Sequence, residues 1–471
     1  MSFSNKFSCG YGLTTFKYYH IANDLTLAAS IQTHFMPRLK QIGKLFPTLK
    51  RVVASYDPAT FYIYLEDIAE ADLLKIRANP FTSANIEHIK TLFHEIRHYV
   101  DHVATLWGQR LILEYLKSAN IRLQGDIANF KTIIKYKNQE NQLFYADYYT
   151  EEYNYTPVDR MDRRWQWTTT SGIKFDAQGI SDETQPIPFV HFKSFDNVPL
   201  MRMPISIASL LETNSTSEEV KWHMAYISQL SETEQPFQVK YYGNETLLKL
   251  LYNQDLALYN VAVHLAANIL HISDFIEAFH ISSAIATLTL NLPNNLVKNI
   301  PVKDEKFKAW GKRCQSMLDN NEHGFIYFLL LENYAPIYRQ SKKFDIAELL
   351  RSSNLPDENT ITEQVLSEID IIIAEAYQQP NLKEVFIPHL ENGRGFFKDL
   401  GICFKNTFVE KVILGKTPTT ICNDTDVEMK SYRDAELFTL RPIKGLSISE
   451  WYNISAAINT KLTQLYEVRG V

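Results

Sequence analysis

Residues 83–108 read SANIEHIKTLFHEIRHYVDHVATLWG and contain the pentapeptide HEIRH at positions 94–98. Apolar residues recur along this stretch at helical spacing, and Ser83 is a suitable N-cap residue. The pattern therefore predicts a helix that begins near Ser83 and ends before Gly108. On a helix, residues four apart lie about 40° apart around the axis and about 6 Å apart along it. The two imidazoles of the pentapeptide can thus reach one ion.

The residue types of HEIRH are those of a catalytic zinc site. His94 and His98 would bind the metal, and Glu95 would lie beside the open coordination position. Zinc lowers the pKa of its bound water, Glu95 accepts a proton as the water attacks a carbonyl, and the metal stabilises the oxyanion. A chance match with two ordinary helical histidines is the alternative. Polar and apolar residues of this helix fall on opposite faces, which favours the metal site.

A catalytic zinc site needs a third protein ligand. The extended HExxHxxGxxH pattern fails, because Asp101 and Ala104 replace its glycine and its third histidine, so the chain is not a metzincin. Glu212 is the first choice, because it lies in a predicted amphipathic helix whose small residues allow another helix to approach closely. Four other glutamates stay open as alternatives: Glu114, Glu151, Glu152 and Glu277. Glu114 would lie about 24 Å beyond His98 on an unbroken helix, which disfavours it.

Other polar residues near the motif allow weaker inferences. Asp101 lies on the face of His98, where it could orient a ligand or bind a substrate amine, or it could be a solvated surface residue. His102 lies about 12 Å of helical rise from His94, too far to join the same ion. His223 could stabilise an oxyanion, although a surface pair with Glu219 is the better interpretation. Three further histidines on apolar helical stretches are expected to be packed core residues rather than ligands: His264, His271 and His280. Packing is also expected of the tyrosines between Tyr145 and Tyr155.

Periodicity along the rest of the chain indicates a mainly α-helical protein with a smaller β-containing part. A helix (residues 25–50) and one or two strands (51–65) precede the motif, and an aromatic-rich irregular or β-hairpin insertion spans residues 144–204. Helical patterns follow at 205–230, at 246–290 and in several pieces after 306. The polar stretch 294–304 suggests a boundary between a region 1–300, which carries the motif, and a helical C-terminal region 301–471.

Composition narrows the class of protein. The formal charge of −6, from 48 basic and 54 acidic residues, and the lack of a polybasic run argue against nucleic acid as a partner. The cysteines Cys9, Cys314, Cys403 and Cys422 form no CxxC pair, as expected of free cytosolic thiols. The sequence begins without the apolar core of a secretory signal, and residues 278–297 are too polar for a bilayer span, so we expect a cytoplasmic protein.

The motif, with Thr105 and Trp107-Gly108 after it and Leu210-Leu211-Glu212 far downstream, resembles the gluzincin group of zincin metallopeptidases. It is also similar to bacterial HExxH proteins with a distant LLE-type helix, some of which belong to conflict or phage-defence loci. The resemblance implies a zincin-like helical core, His94, His98 and Glu212 as zinc ligands, and Glu95 as general base. It covers two short motifs and leaves over two thirds of the chain unmatched.

The sequence thus predicts a zinc-dependent hydrolase, an intracellular metallopeptidase acting on protein or peptide substrates. A role as a bacterial defence effector follows only from the resemblance. The alternative is a catalytically inactive zincin-fold protein that acts in interaction or sensing, with the C-terminal helices as the surface for a protein partner.

Overall fold

The computed structural model describes residues 54–124, 129–153, 165–175, 180–404, 418–425 and 446–468. Of these residues, 67% are helical and 12% lie in strands. The prediction of a mainly α-helical chain with a smaller β-containing part is therefore confirmed. The helix predicted at 25–50 and the start of the extended segment after it lie outside the described residues, as does Cys9.

The strands are β1 (Ala54–Asp57), β2 (Tyr62–Leu65), β3 (Glu151–Glu152), β4 (Gln166–Phe175), β5 (Ser181–Lys193), β6 (Pro199–Pro204) and β7 (Thr420–Cys422). The helices before residue 252 are α1 (Glu70–Ala78), α2 (Ile86–Ala104), α3 (Leu106–Gln124), α4 (Phe130–Asn141), α5 (Tyr145–Tyr149), α6 (Ile207–Ile227), α7 (Gln235–Tyr241) and α8 (Leu248–Leu251), with a π-helical turn at Tyr242–Leu247. The later helices are α9 (Ala257–Leu270), α10 (Phe275–Asn291), α11 (Asn294–Val297), α12 (Lys312–Asp319), α13 (His323–Ser341), α14 (Ile346–Ser352), α15 (Glu358–Tyr377), α16 (Lys383–Leu400) and α17 (Ile448–Val468).

Two small sheets accompany the helices. In the first, β1 and β2 form an antiparallel pair, and β7 joins the other side of β2 in parallel, so a distant segment completes this sheet. The second has the order β3-β6-β5-β4 with antiparallel neighbours and lies within the aromatic-rich stretch 144–204. The β-hairpin predicted for this stretch is therefore confirmed at residues 166–204, whereas its start at Tyr145–Tyr149 is the short helix α5.

The motif helix α2 ends earlier than the sequence pattern predicts. Thr105, not Gly108, interrupts the helix, with extended backbone at φ −89° and ψ 153°. The Thr105 hydroxyl donates to the Asp101 carbonyl at 2.5 Å and accepts from the Gly108 amide at 3.1 Å, so it bridges the end of α2 and the start of α3. Gly108 lies inside α3, where a Cβ would be only 1.9 Å from the His102 carbonyl oxygen. The glycine permits the close approach of two helices and does not end one.

Helix α6 lies antiparallel to α2. It begins at Ser206, whose side chain accepts from the Ser209 amide while Ser209 bonds back to the Ser206 amide, a reciprocal N-cap. Two contacts show that the helices run in opposite directions. Asn214 bonds Asp101 near the C-terminal end of α2, whereas Glu219, later in α6, bonds His94, which lies about two turns before Asp101 in α2. This register brings the middle of α6 opposite the HEIRH motif.

The periodic stretch predicted at 246–290 is broken in the structure. Helix α9 ends at His271, which has a left-handed backbone (φ 57°), and α10 begins after Asp274, whose side chain accepts from the Ile276 and Glu277 amides. A good N-cap therefore restarts the helix in a new direction, which apolar periodicity alone does not reveal. Among the described residues, no single helix is long and apolar enough to cross a membrane; Gln254–Leu270 and Phe275–Asn291 meet that test only as a pair bent by 105°.

Helices beyond residue 300 pack on the helices that precede it, and α16 packs directly on the motif helix. Gly393 in α16 lies so close to α2 that a Cβ would be 1.7 Å from the Val103 carbonyl oxygen. Tyr327 in α13 is fully buried and bonds Ser282 and the Ala262 carbonyl at 2.7 and 2.9 Å. The division of the chain at residue 300 stays a prediction, and residues from both sides of it share one apolar core.

Candidate metal centre

Three side chains from α2 and α6 converge on one point. His94 Nε2 lies 3.1 Å from Glu212 Oε2, and His98 Nε2 lies 3.3 Å from Glu212 Oε1. The two Nε2 atoms are 3.2 Å apart. The helical spacing of the histidines produces their proximity, whereas Glu212 arrives from a helix that begins more than 100 residues later in the chain. These three residues form a group whose ligand atoms all lie within 4.8 Å of one another.

These separations fit a metal ion. A tetrahedral zinc ion with bonds of 2.0–2.1 Å holds its ligand atoms about 3.3 Å apart. The two Nε2 atoms are 3.2 Å apart, close to that spacing, and each lies 3.1 or 3.3 Å from a different oxygen of the Glu212 carboxylate. In addition, Glu212 Oε2 is buried and makes no hydrogen bond within the described structure, although it is close to His94 Nε2. A buried carboxylate oxygen in this position suits a metal ligand.

The hydrogen bond of His94 determines which of its ring nitrogens carries the proton and which carries the lone pair. Its Nδ1 atom lies 2.6 Å from Glu219 Oε1. An ionised carboxylate only accepts hydrogen bonds, so Nδ1 carries the proton, and a neutral His94 then presents a lone pair at Nε2. That lone pair faces the Glu212 carboxylate, which also only accepts. A metal ion, a second proton on His94 or a proton on His98 Nε2, which lies 3.2 Å from His94 Nε2, would each satisfy these acceptors.

The site is largely enclosed. His94, Glu95 and Glu212 are at most 1% exposed, and the His98 side chain is 13% exposed. Burial raises the pKa of Glu212, but the positive charge that His98 and His94 carry when protonated, together with hydrogen bonds from both rings, outweighs burial and holds this pKa at about 2. In that protonated state of the histidines, Glu212 is an ionised carboxylate at neutral pH.

A buried polar network next to the site joins α2, α6 and α10. Arg97 Nε donates to Asp101 at 2.9 Å, and its Nη2 donates to Thr287 at 2.7 Å. Asn214 donates to the other Asp101 oxygen at 2.9 Å and accepts from Ser283 at 2.9 Å. Asp101 is fully buried, so the structure matches neither a solvated aspartate nor one that binds a substrate amine. It instead fixes the register of the two helices that carry the three convergent residues.

The other glutamates considered as third ligands have different partners. Glu114 accepts from Lys135 at 2.6 Å, and Glu151 accepts from Arg202 at 3.3 Å. Glu277 accepts from the Tyr338 hydroxyl at 2.7 Å, and Glu152 is exposed on β3. Of the five candidates, Glu212 is the one that the structure brings to His94 and His98.

His102 and His223 lie in packed surroundings. His102 Nδ1 bonds the Tyr56 hydroxyl at 2.8 Å, and burial, with a smaller effect of His389, lowers its pKa to about 3. His223 stacks on Tyr242 at a ring separation of 3.8 Å. Burial and then the charge of Lys90 lower the pKa of His223 to about 3, so its ring is neutral near pH 7.

His264 bonds the Leu251 carbonyl at 2.6 Å, as expected of a satisfied core histidine. His271 and His280 are exposed, so they are not the core residues that the apolar helical pattern suggested. In the aromatic-rich stretch, Tyr145 is buried and packs against Tyr149, which confirms packing for that pair, whereas Tyr148 and Tyr153 are exposed, so the packing prediction is wrong for them. Tyr155 lies outside the described residues.

Three residues near the site were not identified from the sequence. Ser215 Oγ lies 3.1 Å from His98 Nδ1, and Glu219 lies against His94. The ring of Tyr259, from α9, lies 6.1 Å from the His94 ring. The spacing of Glu212, Ser215 and Glu219 at i, i+3 and i+7 was an available signal, because such residues share one helix face. Nothing in the sequence singles out Tyr259.

Comparisons of the chain with protein-family models, curated proteins and solved structures found no match.

Proposed function

We propose that the protein is a zinc-dependent hydrolase of the zincin-like type, and specifically a metallopeptidase. The zinc ligands would be His94, His98 and Glu212, with Glu95 as general base. The single observation that carries this proposal is the convergence of His94, His98 and the buried Glu212, each of which places one ligand atom within 4.8 Å of those of the other two. Two imidazoles and one glutamate form a donor set that catalytic zinc sites use with a fourth position open.

Bound zinc would supply a nucleophilic water at neutral pH and a Lewis acid for the substrate carbonyl. The chain's own residues would perform the proton transfers. Glu95, adjacent to His94 and 1% exposed, would accept a proton from the attacking water and deliver it to the leaving amine. Peptide-bond hydrolysis combines these steps.

One observation favours a second function. The three most buried residues of the site are at most 1% exposed, so a peptide cannot reach Glu95 in this conformation without movement of the chain. A metal site that a substrate cannot reach suits a structural or sensing role better than turnover. The alternative is therefore a zincin-like protein that binds zinc without turnover and interacts with a partner.

Metal analysis tests the site. We expect one zinc per chain in the wild-type protein and strong loss in His94→Ala, His98→Ala and Glu212→Gln, because each change removes one of three ligands. His88→Ala is the matched control, since His88 lies on the same helix but outside the convergent group. Circular dichroism verifies folding. Undiminished zinc in both histidine variants would reject the site, and undiminished zinc in Glu212→Gln would reject that ligand.

Glu95→Gln separates the two functions. If Glu95 is the general base, we expect this variant to retain zinc and its melting temperature but lose at least about 100-fold of hydrolysis. Mass spectrometry would follow cleavage of a mixture of unstructured peptides by zinc-loaded wild type and variant. Equal cleavage by both would remove Glu95 from the mechanism. A wild-type protein that binds zinc and cleaves none of the peptides would support the non-catalytic alternative.

A further inference from the structure

The ring nitrogens that point away from the metal position both contact α6. His94 Nδ1 lies 2.6 Å from Glu219 Oε1, and His98 Nδ1 lies 3.1 Å from Ser215 Oγ. We propose that Glu219 is a positioning residue for zinc ligand His94 and that Ser215 is its weaker counterpart at His98. This inference rests on the proposed function, because it concerns the same metal site.

One face of α6 supplies all three groups. Glu212, Ser215 and Glu219 lie within about 60° of one another around the helix and within about 11 Å along it. Because α6 runs antiparallel to α2, this face contacts both nitrogens of each histidine ring. Glu212 lies beside the two Nε2 atoms, Glu219 contacts Nδ1 of His94, and Ser215 contacts Nδ1 of His98. A single helix thus provides a ligand and the outer contacts of both remaining ligands.

The two outer contacts differ in charge. The Glu219 carboxylate only accepts, so it holds the Nδ1 proton of His94 and leaves Nε2 free to bind the metal. Its negative charge also makes the imidazole a stronger donor to the ion. The Ser215 hydroxyl is neutral and can either donate or accept, so it fixes His98 less firmly. The His94 contact is also the shorter of the two.

The location of Glu219 agrees with this role. Its side chain is 16% exposed, so solvent screens its charge only in part, whereas His94 is 1% exposed. Burial raises the pKa of Tyr242, and the charge of Glu219 adds to that effect. The 2.6 Å contact with His94 is what fixes the position of this carboxylate, as an orienting group requires.

The test compares zinc binding in four variants with that of the wild-type protein: Glu219→Ala, Glu219→Gln, Ser215→Ala and the control Glu232→Gln. Glu232 is exposed, so its change removes one negative charge without touching the site. Zinc affinity is measured by competition with a chromophoric chelator. The absorption spectrum of the cobalt-substituted protein reports ligand geometry, and thermal melts of metal-free protein report stability.

We expect Glu219→Ala to weaken zinc binding about 10- to 100-fold and to alter the cobalt spectrum. Glu219→Gln is expected to lose less affinity, because the amide oxygen still accepts from Nδ1, and Ser215→Ala to lose less than Glu219→Ala. Glu232→Gln is expected to equal the wild-type protein. A merely structural ion pair would lower the melting temperature of metal-free protein without changing the cobalt spectrum.

Wild-type affinity and spectrum in Glu219→Ala would overturn the inference. If that variant does not fold, the same result in Glu219→Gln would overturn it. A wild-type protein that binds no zinc would instead overturn the proposed function, so the two failures are distinguishable.

Discussion

Glu322, the residue before α13, has a buried carboxyl group with little access to water. It is 7% exposed, and burial raises the pKa of its carboxyl to about 7, an effect that the Gly324 amide and the charge of Lys174 only partly offset. The sequence pattern gives no indication of this, because glutamate at a helix N-terminus is usually solvated and favourable. Burial makes this residue a source of pH dependence in the stability of the fold.

The sign of that dependence follows from the raised pKa. Below the unfolded value of 4.5 the carboxyl is protonated in both states, and between about 4.5 and 7 the unfolded chain ionises first, so stability falls as the pH rises. We expect a loss of roughly 1–3 kcal/mol over that range, absent in Glu322→Gln. Urea unfolding at pH 5 and pH 8 measures it. Glu305→Gln, an exposed site, is the control, and parallel profiles for wild type and Glu322→Gln would contradict the assignment.

At the scale of elements, the end of the motif helix is held by a contact between backbones. Gly393 in α16 lies against the Val103 carbonyl, and the Gln109 side chain donates both to that carbonyl at 2.5 Å and to the Leu390 carbonyl at 2.9 Å. Helices α2, α3 and α16 therefore meet near Thr105, the residue at which the backbone leaves the helical conformation between α2 and α3. This junction fixes the end of the helix that carries His94 and His98.

The prediction from this junction is that Gly393→Ala destabilises the protein by about 1–3 kcal/mol. The added Cβ would lie 1.7 Å from the Val103 oxygen and 2.7 Å from Gln109 Nε2, so one of the helices must move. Gly395→Ala is a matched control in the same helix, since no described atom lies within 4 Å of its added Cβ. It is expected to be neutral or to stabilise, by up to about 1 kcal/mol from helix propensity. Chemical unfolding of both variants would decide, and equal stability would contradict the close contact.

At the scale of the whole molecule, the apolar core continues across residue 300. Phe386 of α16 packs against Phe61 near the start of the described chain, with ring centroids 5.5 Å apart. Trp451 of α17 donates to the Thr60 carbonyl at 3.1 Å, and β7 extends the sheet formed by β1 and β2. Removal of the C-terminal region would expose these surfaces together.

We therefore expect a fragment of residues 1–300 to lack a cooperative fold. Its helices would lose the partners that bury their apolar faces, and isolated helices of this length are marginal in water. Thermal melts, near-ultraviolet circular dichroism and dye binding to exposed apolar surface test this expectation. A fragment that melts cooperatively and binds zinc as the full chain does would instead support two independent domains divided at residue 300.

Much of the secondary structure could be predicted, because it depends on neighbours within a few residues. The helical location of His94 and His98, and hence their proximity, follows from a spacing of four residues alone. The β-rich character of 144–204 follows from local alternation and breakers. The end of α2 could not be predicted well, because it depends on hydrogen bonds of the Thr105 hydroxyl, such as the one to the Asp101 carbonyl, and apolar periodicity gives no information about them.

By itself, the sequence determined a mainly helical chain and a pair of histidines able to bind one ion. Only the tertiary structure placed Glu212, rather than Glu114 or Glu277, beside them, and brought Ser215 and Glu219 to their outer nitrogens. The reason is physical: spacing along one helix sets which of its residues share a face, whereas the meeting of α2 and α6 depends on long-range packing and on the buried Asp101–Asn214 bond that fixes their register.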